Sequence, residues 1–311
     1  MTEMWRYNRQ VRHCRAKHFI FTLAAKIHVA PNGPALARWW EATHGPTADT
    51  QPNRKWDAYF KGALPRSDLL RLLMNELPEL SNGLTSPIWY ALSDIQANQS
   101  KAFWNSCANA VRIQHAPIGY FSQRHMREMR AQPNLDSLGV FVLLLRGDAP
   151  QYRYHRLGIA KFFTRYLCIA LVDSVLKNIA SDIYQLIDIL IRAGQFGDIT
   201  LQSWPENANA FNQQVECYAQ LGRRLSAIIG IERPQSDLLL LLLLWLVADD
   251  WQLLSQFCER QDAASIPGSL LRKWARQCQR FACPSTQLLS AECETRVLAP
   301  PEQRVWNRLL L

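Results

Sequence analysis

The chain has 311 residues, of which 48% are hydrophobic and 20% charged, and its formal net charge is +9. This composition is typical of a folded protein with one large or two medium domains, and it excludes a low-complexity chain. The apolar run from Leu238 to Ala248 has eleven residues, whereas a bilayer span takes about twenty. We therefore expect no membrane span.

Four arginines recur at every third position near the start of the chain: Arg6, Arg9, Arg12 and Arg15. No acidic residue stands between Glu3 and Glu41. On a helix, such a stripe turns slowly around the surface and can follow a phosphate backbone. The pattern predicts either a nucleic-acid-binding arm or a solvated basic face. An arginine-rich, acid-poor start is also typical of a mitochondrial presequence.

The segment from Lys55 to Leu73 predicts two short helices joined by a tight turn. Trp56, Tyr59 and Phe60 have helical spacing and predict one buried face. Gly62 predicts the end of the first helix, because a residue just past a helix end often has positive φ. Pro65 suits the first turn of the next helix, in which Asp68 complements the helix dipole and the leucines from 69 to 77 supply a core face.

The pattern W-x-x-Y-x-x-G-x-x-P with a leucine-rich helix after it resembles repressor-type helix-turn-helix DNA-binding proteins, over about residues 36–78 only. The resemblance implies that Pro52 to Lys61 is the recognition helix. The polar and charged residues that it implies at the nucleic-acid surface are Asn53, Arg54, Lys55, Asp57 and Lys61. The chain departs from the family where a small residue and a glycine usually precede this helix, because the long polar stretch 43–51 stands there instead. The alternative is an ordinary helical hairpin.

Charge is unevenly distributed along the chain. Residues 1 to 130 contain 17 Lys and Arg against 9 Asp and Glu, whereas residues 131 to 311 contain 18 against 17. A surplus of cations attracts polyanions by releasing their condensed counterions, without any base-specific contact. The charge therefore favours DNA, RNA or anionic lipid as partner of the N-terminal part, for which we predict a domain over residues 1–93.

Residues 94–311 predict a larger helical domain for oligomerisation or effector binding, with a sub-boundary near 150. The apolar run 138–145 fits either a buried strand or a helix. A helical face is predicted by the apolar residues Ile179, Ile183, Leu186, Ile187 and Leu190, which Gly194 closes. The capping-box spacing of Ser203 and Glu206 predicts the start of another helix, and its core face is predicted to contain Phe211, Val215, Tyr218 and Leu225.

Further helix starts are predicted at Ser236, Asp249 and Ser269. The run from Leu238 to Ala248 belongs in a bundle centre or in an oligomer interface. We predict from it a homodimer, or a complex with a partner protein, through the C-terminal domain. The fold class is therefore mainly α, with an N-terminal helix-turn-helix-like unit and a larger helical domain.

The search for chemical motifs finds no phosphate-binding loop, dinucleotide fingerprint, H-E-x-x-H or nucleophile elbow. Cys14 and His18 lack a closing ligand for zinc, and no paired C-x-x-C spacing occurs. The sequence thus predicts no metal or cofactor, and it supports no enzymatic site, including in residues 94–200. The eight dispersed cysteines suit reduced core positions in a cytoplasmic protein.

Three functions remain open from the sequence. The leading hypothesis is a helix-turn-helix transcriptional regulator that binds duplex DNA. The second is a helix-turn-helix-bearing effector or accessory protein of a bacterial phage-defence or toxin system. The third is a helical protein-interaction scaffold. A regulator needs Arg54, Lys55 and Lys61 exposed together, whereas a scaffold would bury or neutralise them.

Overall fold

The protein is mainly α-helical in a computed structural model, as the sequence predicts. The structure describes residues 9–45, 52–93 and 101–229, apart from 114–115, 120, 124–125, 127–128 and 131–132. Its helices are α1 (Arg9–Lys26), α2 (Gly33–His44), α3 (Pro52–Phe60), α4 (Ser67–Glu76), α5 (Leu80–Thr85), α6 (Pro87–Ala91), α7 (Lys101–Ala110), α8 (Leu135–Arg146), α9 (Arg153–Ala170), α10 (Ala180–Arg192) and α11 (Ala208–Ile229). Two two-residue strands, β1 (Arg112–Ile113) and β2 (Ala116–Pro117), pair antiparallel. Short 3₁₀ turns cover Pro150–Tyr152 and Leu176–Ile179.

The buried apolar residues in the described part of the chain form two clusters. The N-terminal core comprises Phe19, Ile20, Leu23, Leu36, Ala37, Trp56, Tyr59, Leu70, Leu73, Leu80 and Leu84. The larger core draws on α6 to α11 and takes Val11 and Cys14 from α1. The domain boundary near residue 93 stays a prediction; α6, which precedes it, packs into the larger core.

The apolar run 138–145, for which the sequence allows a strand or a helix, is helical. It belongs to α8 and is buried along its whole length. The Asn134 side chain accepts a hydrogen bond from the Ser137 amide at 2.8 Å and caps the helix. Gly139 lies where α8 crosses α6, and a Cβ at this position would overlap the Ile88 backbone nitrogen. The helix is therefore selected by its cap and by a close approach to α6, not by periodicity.

Helix α10 and the 3₁₀ turn that ends at Ile179 confirm the predicted apolar face, since all five of its residues are buried: Ile179, Ile183, Leu186, Ile187 and Leu190. Gly194 follows the helix with φ +67°, a conformation that glycine adopts without a Cβ clash.

The predicted start of the next helix is wrong. Ser203 has φ +56° and precedes the helix, whereas the Asn207 side chain accepts from the Ala210 amide at 2.9 Å and caps α11. The core face of α11 contains Phe211, Val215 and Tyr218 as predicted, together with Leu221. The Leu225 side chain, the helix starts at 236, 249 and 269 and the apolar run 238–248 lie outside the described residues.

Among the described residues, three cysteines have free thiols and are buried, as predicted: Cys14, Cys107 and Cys168. Burial raises the pKa of the Cys14 and Cys168 thiols well above the usual range, which keeps them protonated and unreactive. Cys217 is disulfide-bonded. The prediction that the cysteines are reduced is therefore wrong at this position.

Arg146 is the most deeply buried arginine among the described residues, with 1% of its surface exposed. Its Nη1 donates to the carbonyl oxygens of Ala91 and Ser93 at 2.8 and 2.7 Å, and its Nη2 donates to Gln195 at 2.9 Å. The guanidinium lies 3.6 Å from the ring centroid of Trp104. It thus satisfies the carbonyls at the end of α6 and joins them to α7 and α8.

We expect Arg146→Met to lower the free energy of unfolding by about 3–5 kcal/mol, because the buried carbonyls lose their donor. Arg192→Met is the matched control. Arg192 is exposed and pairs with Asp188 at 2.7 Å, so its loss should cost less than about 1 kcal/mol. Urea unfolding of both variants measures the difference, and equal costs would contradict a structural role for Arg146.

His18 in α1 is a buried histidine held neutral. Its ring lies 5.6 Å from the ring of Trp89, and its Nδ1 finds no hydrogen-bond partner among the described residues. Burial lowers the pKa of His18 from 6.5 to about 4, because the charged imidazolium would lose its hydration.

This depressed pKa predicts acid sensitivity. The unfolded chain binds a proton at His18 near pH 6.5, so the stability that this group gives is present above that pH and is lost as the pH falls toward 4. We expect a loss of about 2–3 kcal/mol between about pH 7 and about pH 4.5. His18→Gln should reduce the loss in urea unfolding at the two pH values, whereas exposed His28, changed to Asn, should leave it intact. An unchanged loss in His18→Gln would overturn this assignment.

Candidate nucleic-acid interface

Helix α3 has an aromatic face and a cationic face. Trp56 and Tyr59 are buried, with 3% and 6% of their surfaces exposed, which confirms the predicted core face at these two positions, whereas Phe60 is half-buried. Arg54 in the helix and Lys61, the residue just after its end, are both exposed and stand seven residues apart, about two helical turns. The smaller Ala58 lies between them. The amphipathic pattern therefore points the cations away from the N-terminal core.

The aromatic face is fixed by α2, the helix with which α3 makes most of its contacts. The ring of Trp40 in α2 lies 5.8 Å from Trp56 and stacks on His44 at 3.7 Å. The Nε2 of His44 in turn lies 2.7 Å from a carboxylate oxygen of Glu76 in α4. Because three helices share these contacts, the orientation of α3 is set by packing.

The turn after α3 confirms the prediction for Gly62, which has φ +92°. The Gly62 amide donates to the Tyr59 carbonyl at 2.9 Å, and the Ala63 amide donates to the Ala58 carbonyl at 3.0 Å. This pair of bonds is a Schellman motif. Helix α4 begins at Ser67, so Pro65 precedes the helix instead of lying in its first turn.

A second constraint on Gly62 comes from α1. A Cβ at Gly62 would overlap the imidazole of His13. The contact brings the exposed start of α1 beside the turn that carries Lys61. No local sequence pattern indicates it, since the two residues are far apart along the chain.

The acidic residues near α3 are mostly occupied by ion pairs. Asp68 pairs with Arg71 at 3.1 Å, Glu76 with His44, and Glu79 with Lys26. Within the described ranges, no ion pair involves four exposed cations on or beside α3, which are Arg54, Lys55, Lys61 and Arg66. These four residues are the α3 cations. Their positive charge is therefore not neutralised by ion pairs within those ranges.

Arg66 was missed by the sequence analysis. It lies close enough to Tyr59 to act on that hydroxyl: burial raises the pKa of Tyr59, and the positive charge of Arg66 opposes the rise. The basic residue after Pro65 in the turn is the only sequence signal for it.

Asp57 contributes differently from the expectation. The Asp57 carboxylate lies against Gly33 at the start of α2, where a Cβ would overlap it. There it meets the positive end of the α2 dipole, which explains an acidic side chain on a helix with exposed cations. Asn53 belongs to α3, but its side chain lies outside the described residues.

The arginine stripe does not stay on the surface. Arg9 and Arg12 are exposed, Arg15 has only 9% of its surface exposed, and Arg6 lies outside the described residues. Steps of three residues lag a full helical turn by about 60° each, so two steps carry Arg15 into the packed side of α1. Lys17, which follows, pairs with Asp182 of α10 at 2.9 Å.

A cleft of ≈ 220 Å³ opens between the start of α1 and α10. It is lined by Arg9, Gln10, His13, Asp182, Gln185 and Leu186. In the part of the chain that the structure describes, no group of three or more His, Cys, Asp or Glu side chains is placed to hold a metal ion.

Comparison with protein-family models, curated proteins and solved structures finds no match to this chain. Among the described helices, none is long and apolar enough to cross a membrane. The helix-turn-helix resemblance over residues 36–78 therefore stays a prediction.

We expect Gly62→Ala to destabilise the protein more than Gly194→Ala does. Both glycines have positive φ, which costs an alanine about 1–2 kcal/mol, but no heavy atom lies within 4 Å of a Cβ built at Gly194. The added His13→Ala substitution should bring the cost at Gly62 down toward that at Gly194. Thermal and urea unfolding report these differences, and equal costs at the two glycines would rule out the His13 constraint.

Proposed function

We propose that the chain is a DNA-binding helix-turn-helix protein that acts as a transcriptional regulator and places the exposed side of α3 on duplex DNA. The observation that carries the proposal is the set of α3 cations, which are exposed and not neutralised within the described residues. A scaffold has no need for four exposed cations that no ion pair neutralises. This observation favours nucleic acid over a purely structural role.

The dimensions of α3 suit a duplex groove. Arg54 and Lys61 are seven residues apart, which is about 10 Å along a helix at about 1.5 Å per residue. The DNA major groove is about 12 Å wide and admits one α-helix. Arginine can bind guanine with two hydrogen bonds, whereas lysine contributes a point charge to phosphates. We therefore assign base contact to Arg54 and phosphate contact to Lys61.

The start of α1 extends this surface. His13 packs against Gly62, so exposed Arg9 and Arg12 at the start of α1 lie on the side of the N-terminal unit that carries Lys61. Phosphate contacts from a second element would fix the orientation of α3 on the duplex without reading bases. Arg15 is left out of the proposed surface because it is buried.

The larger helical unit supplies oligomerisation or effector binding in this proposal. Helix-turn-helix readers commonly bind as dimers to two half-sites, and the proposed contact is the C-terminal apolar run, outside the described residues. We propose a cytoplasmic protein. A phage-defence or toxin effector would share the α3 surface and differ in its downstream partner, so enrichment of one duplex sequence separates the regulator from it.

We expect Arg54→Ala and Lys61→Ala to weaken duplex binding without a large change in melting temperature, because exposed substitutions usually alter stability by less than about 0.5 kcal/mol. Loss of a base contact should cost about 1–3 kcal/mol in affinity, and loss of a phosphate contact should reduce the salt slope by about 1. Fluorescence anisotropy with a selected duplex at several salt concentrations measures both.

Lys161→Ala is the matched control for this experiment. Lys161 is an exposed cation on α9 that forms no ion pair within the described residues, so its loss should leave duplex affinity and salt slope unchanged. Selection of one enriched duplex from a random pool supports the regulator. Unchanged binding by both α3 variants, or no binding at low salt, would overturn the proposal.

A further inference from the structure

Helix α9 presents a second exposed surface, far along the chain from α3. Four of its residues are exposed, and we call them the α9 face: Arg153, Tyr154, Leu157 and Lys161. The opposite side of the helix is packed into the larger core through Ile159, Phe163 and Tyr166, all fully buried. The α9 face is therefore held on a rigid support.

Two large apolar side chains stand together on this face. Tyr154 has 67% of its surface exposed and Leu157 has 43%. Because they are three positions apart, the two side chains lie next to each other on the helix surface. Other exposed large apolar residues, such as Leu64 and Ile189, are on separate elements. Single exposed apolar residues are ordinary, whereas this pair joins its apolar surface on one fixed helix.

Cations border this apolar pair. Arg153 and Lys161 stand four residues before and after Leu157, one turn away on each side. Neither forms an ion pair among the residues described, and α9 contains no Asp or Glu. The face is thus apolar at its centre and positive at both ends.

We propose that the α9 face binds an acidic amphipathic helix of a partner protein. Apolar side chains of that helix would cover Tyr154 and Leu157, while carboxylates at its edge would pair with Arg153 and Lys161. Helix-on-surface recognition uses such apolar anchors at helical spacing, and charge complementarity sets the choice of partner. Leu157 at the centre favours a protein partner over single-stranded nucleic acid, for which stacking aromatics are the usual anchors.

The test uses the full-length protein and three labelled probes in fluorescence anisotropy. The first is an amphipathic peptide of about 18 residues with Leu at helical spacing and Glu elsewhere. The second replaces each Glu with Lys, and the third is oligothymidine. We expect the acidic peptide to bind and the basic peptide not to bind. Leu157→Ser and Tyr154→Ser should each weaken acidic-peptide binding at least about tenfold, and Lys161→Glu should weaken it most strongly at low salt.

Two controls locate the effect. Ile189→Ser removes an exposed apolar side chain, 40% exposed, from α10, and Lys55→Glu reverses an α3 cation; both should leave acidic-peptide binding unchanged. The proposal would be overturned if wild type and Leu157→Ser bound the acidic peptide equally, or if the basic peptide bound as tightly as the acidic one. It would also be overturned if oligothymidine bound in a way that depends on Tyr154 while the acidic peptide did not bind. Because the α3 variants report duplex binding alone, failure here is distinguishable from failure of the regulator hypothesis.

Discussion

The two halves of helix α1 are buried in different hydrophobic cores, and the positions of the other elements depend on this burial. Val11 and Cys14 at its start belong to the larger core, while Phe19, Ile20 and Leu23 belong to the N-terminal core. The helix contacts α3, α5 and α6 on one part of its surface and α10 with the preceding 3₁₀ turn on another. Since protein interiors are close-packed, a displacement of α1 would disturb both cores.

The shared helix determines where the α3 cations stand. Lys17 pairs with Asp182 of α10, and His13 packs against Gly62 in the turn after α3. These contacts fix the cationic side of α3 relative to the larger unit. Burial of His18 in the same helix adds a dependence on pH, because protonation of this imidazole opposes the packing of α1 against Trp89.

The sequence predicts local features well where one residue type is required by backbone geometry. Gly62 and Gly194 both have positive φ, and Trp56 with Tyr59 forms the buried face of α3. The start of α11 was mispredicted because Ser203 and Asn207 are both good capping residues. Trp204 stacks on Tyr184 at 5.1 Å, and its indole nitrogen donates to Asp188. These contacts hold the residue after Ser203 against α10, and the helix cap is Asn207. The expectation that Arg15 lies on a surface stripe is wrong for a similar reason, since residue spacing does not tell which side of α1 is buried.

Counting charges along the sequence also gives an incomplete account of the electrostatic potential at the protein surface. Arg146 lies inside the larger core and donates to carbonyls, and Lys17, Lys26 and Arg71 pair with carboxylates. The positive electrostatic potential that attracts a ligand comes from the cations that make no such contacts. Arg54 and Lys61 flank Ala58, whereas Arg153 and Lys161 flank the apolar Leu157. Cations around a small side chain suit close approach of phosphates, with strong salt dependence. Cations around an apolar side chain suit a partner that also buries carbon, for which salt alters only part of the affinity.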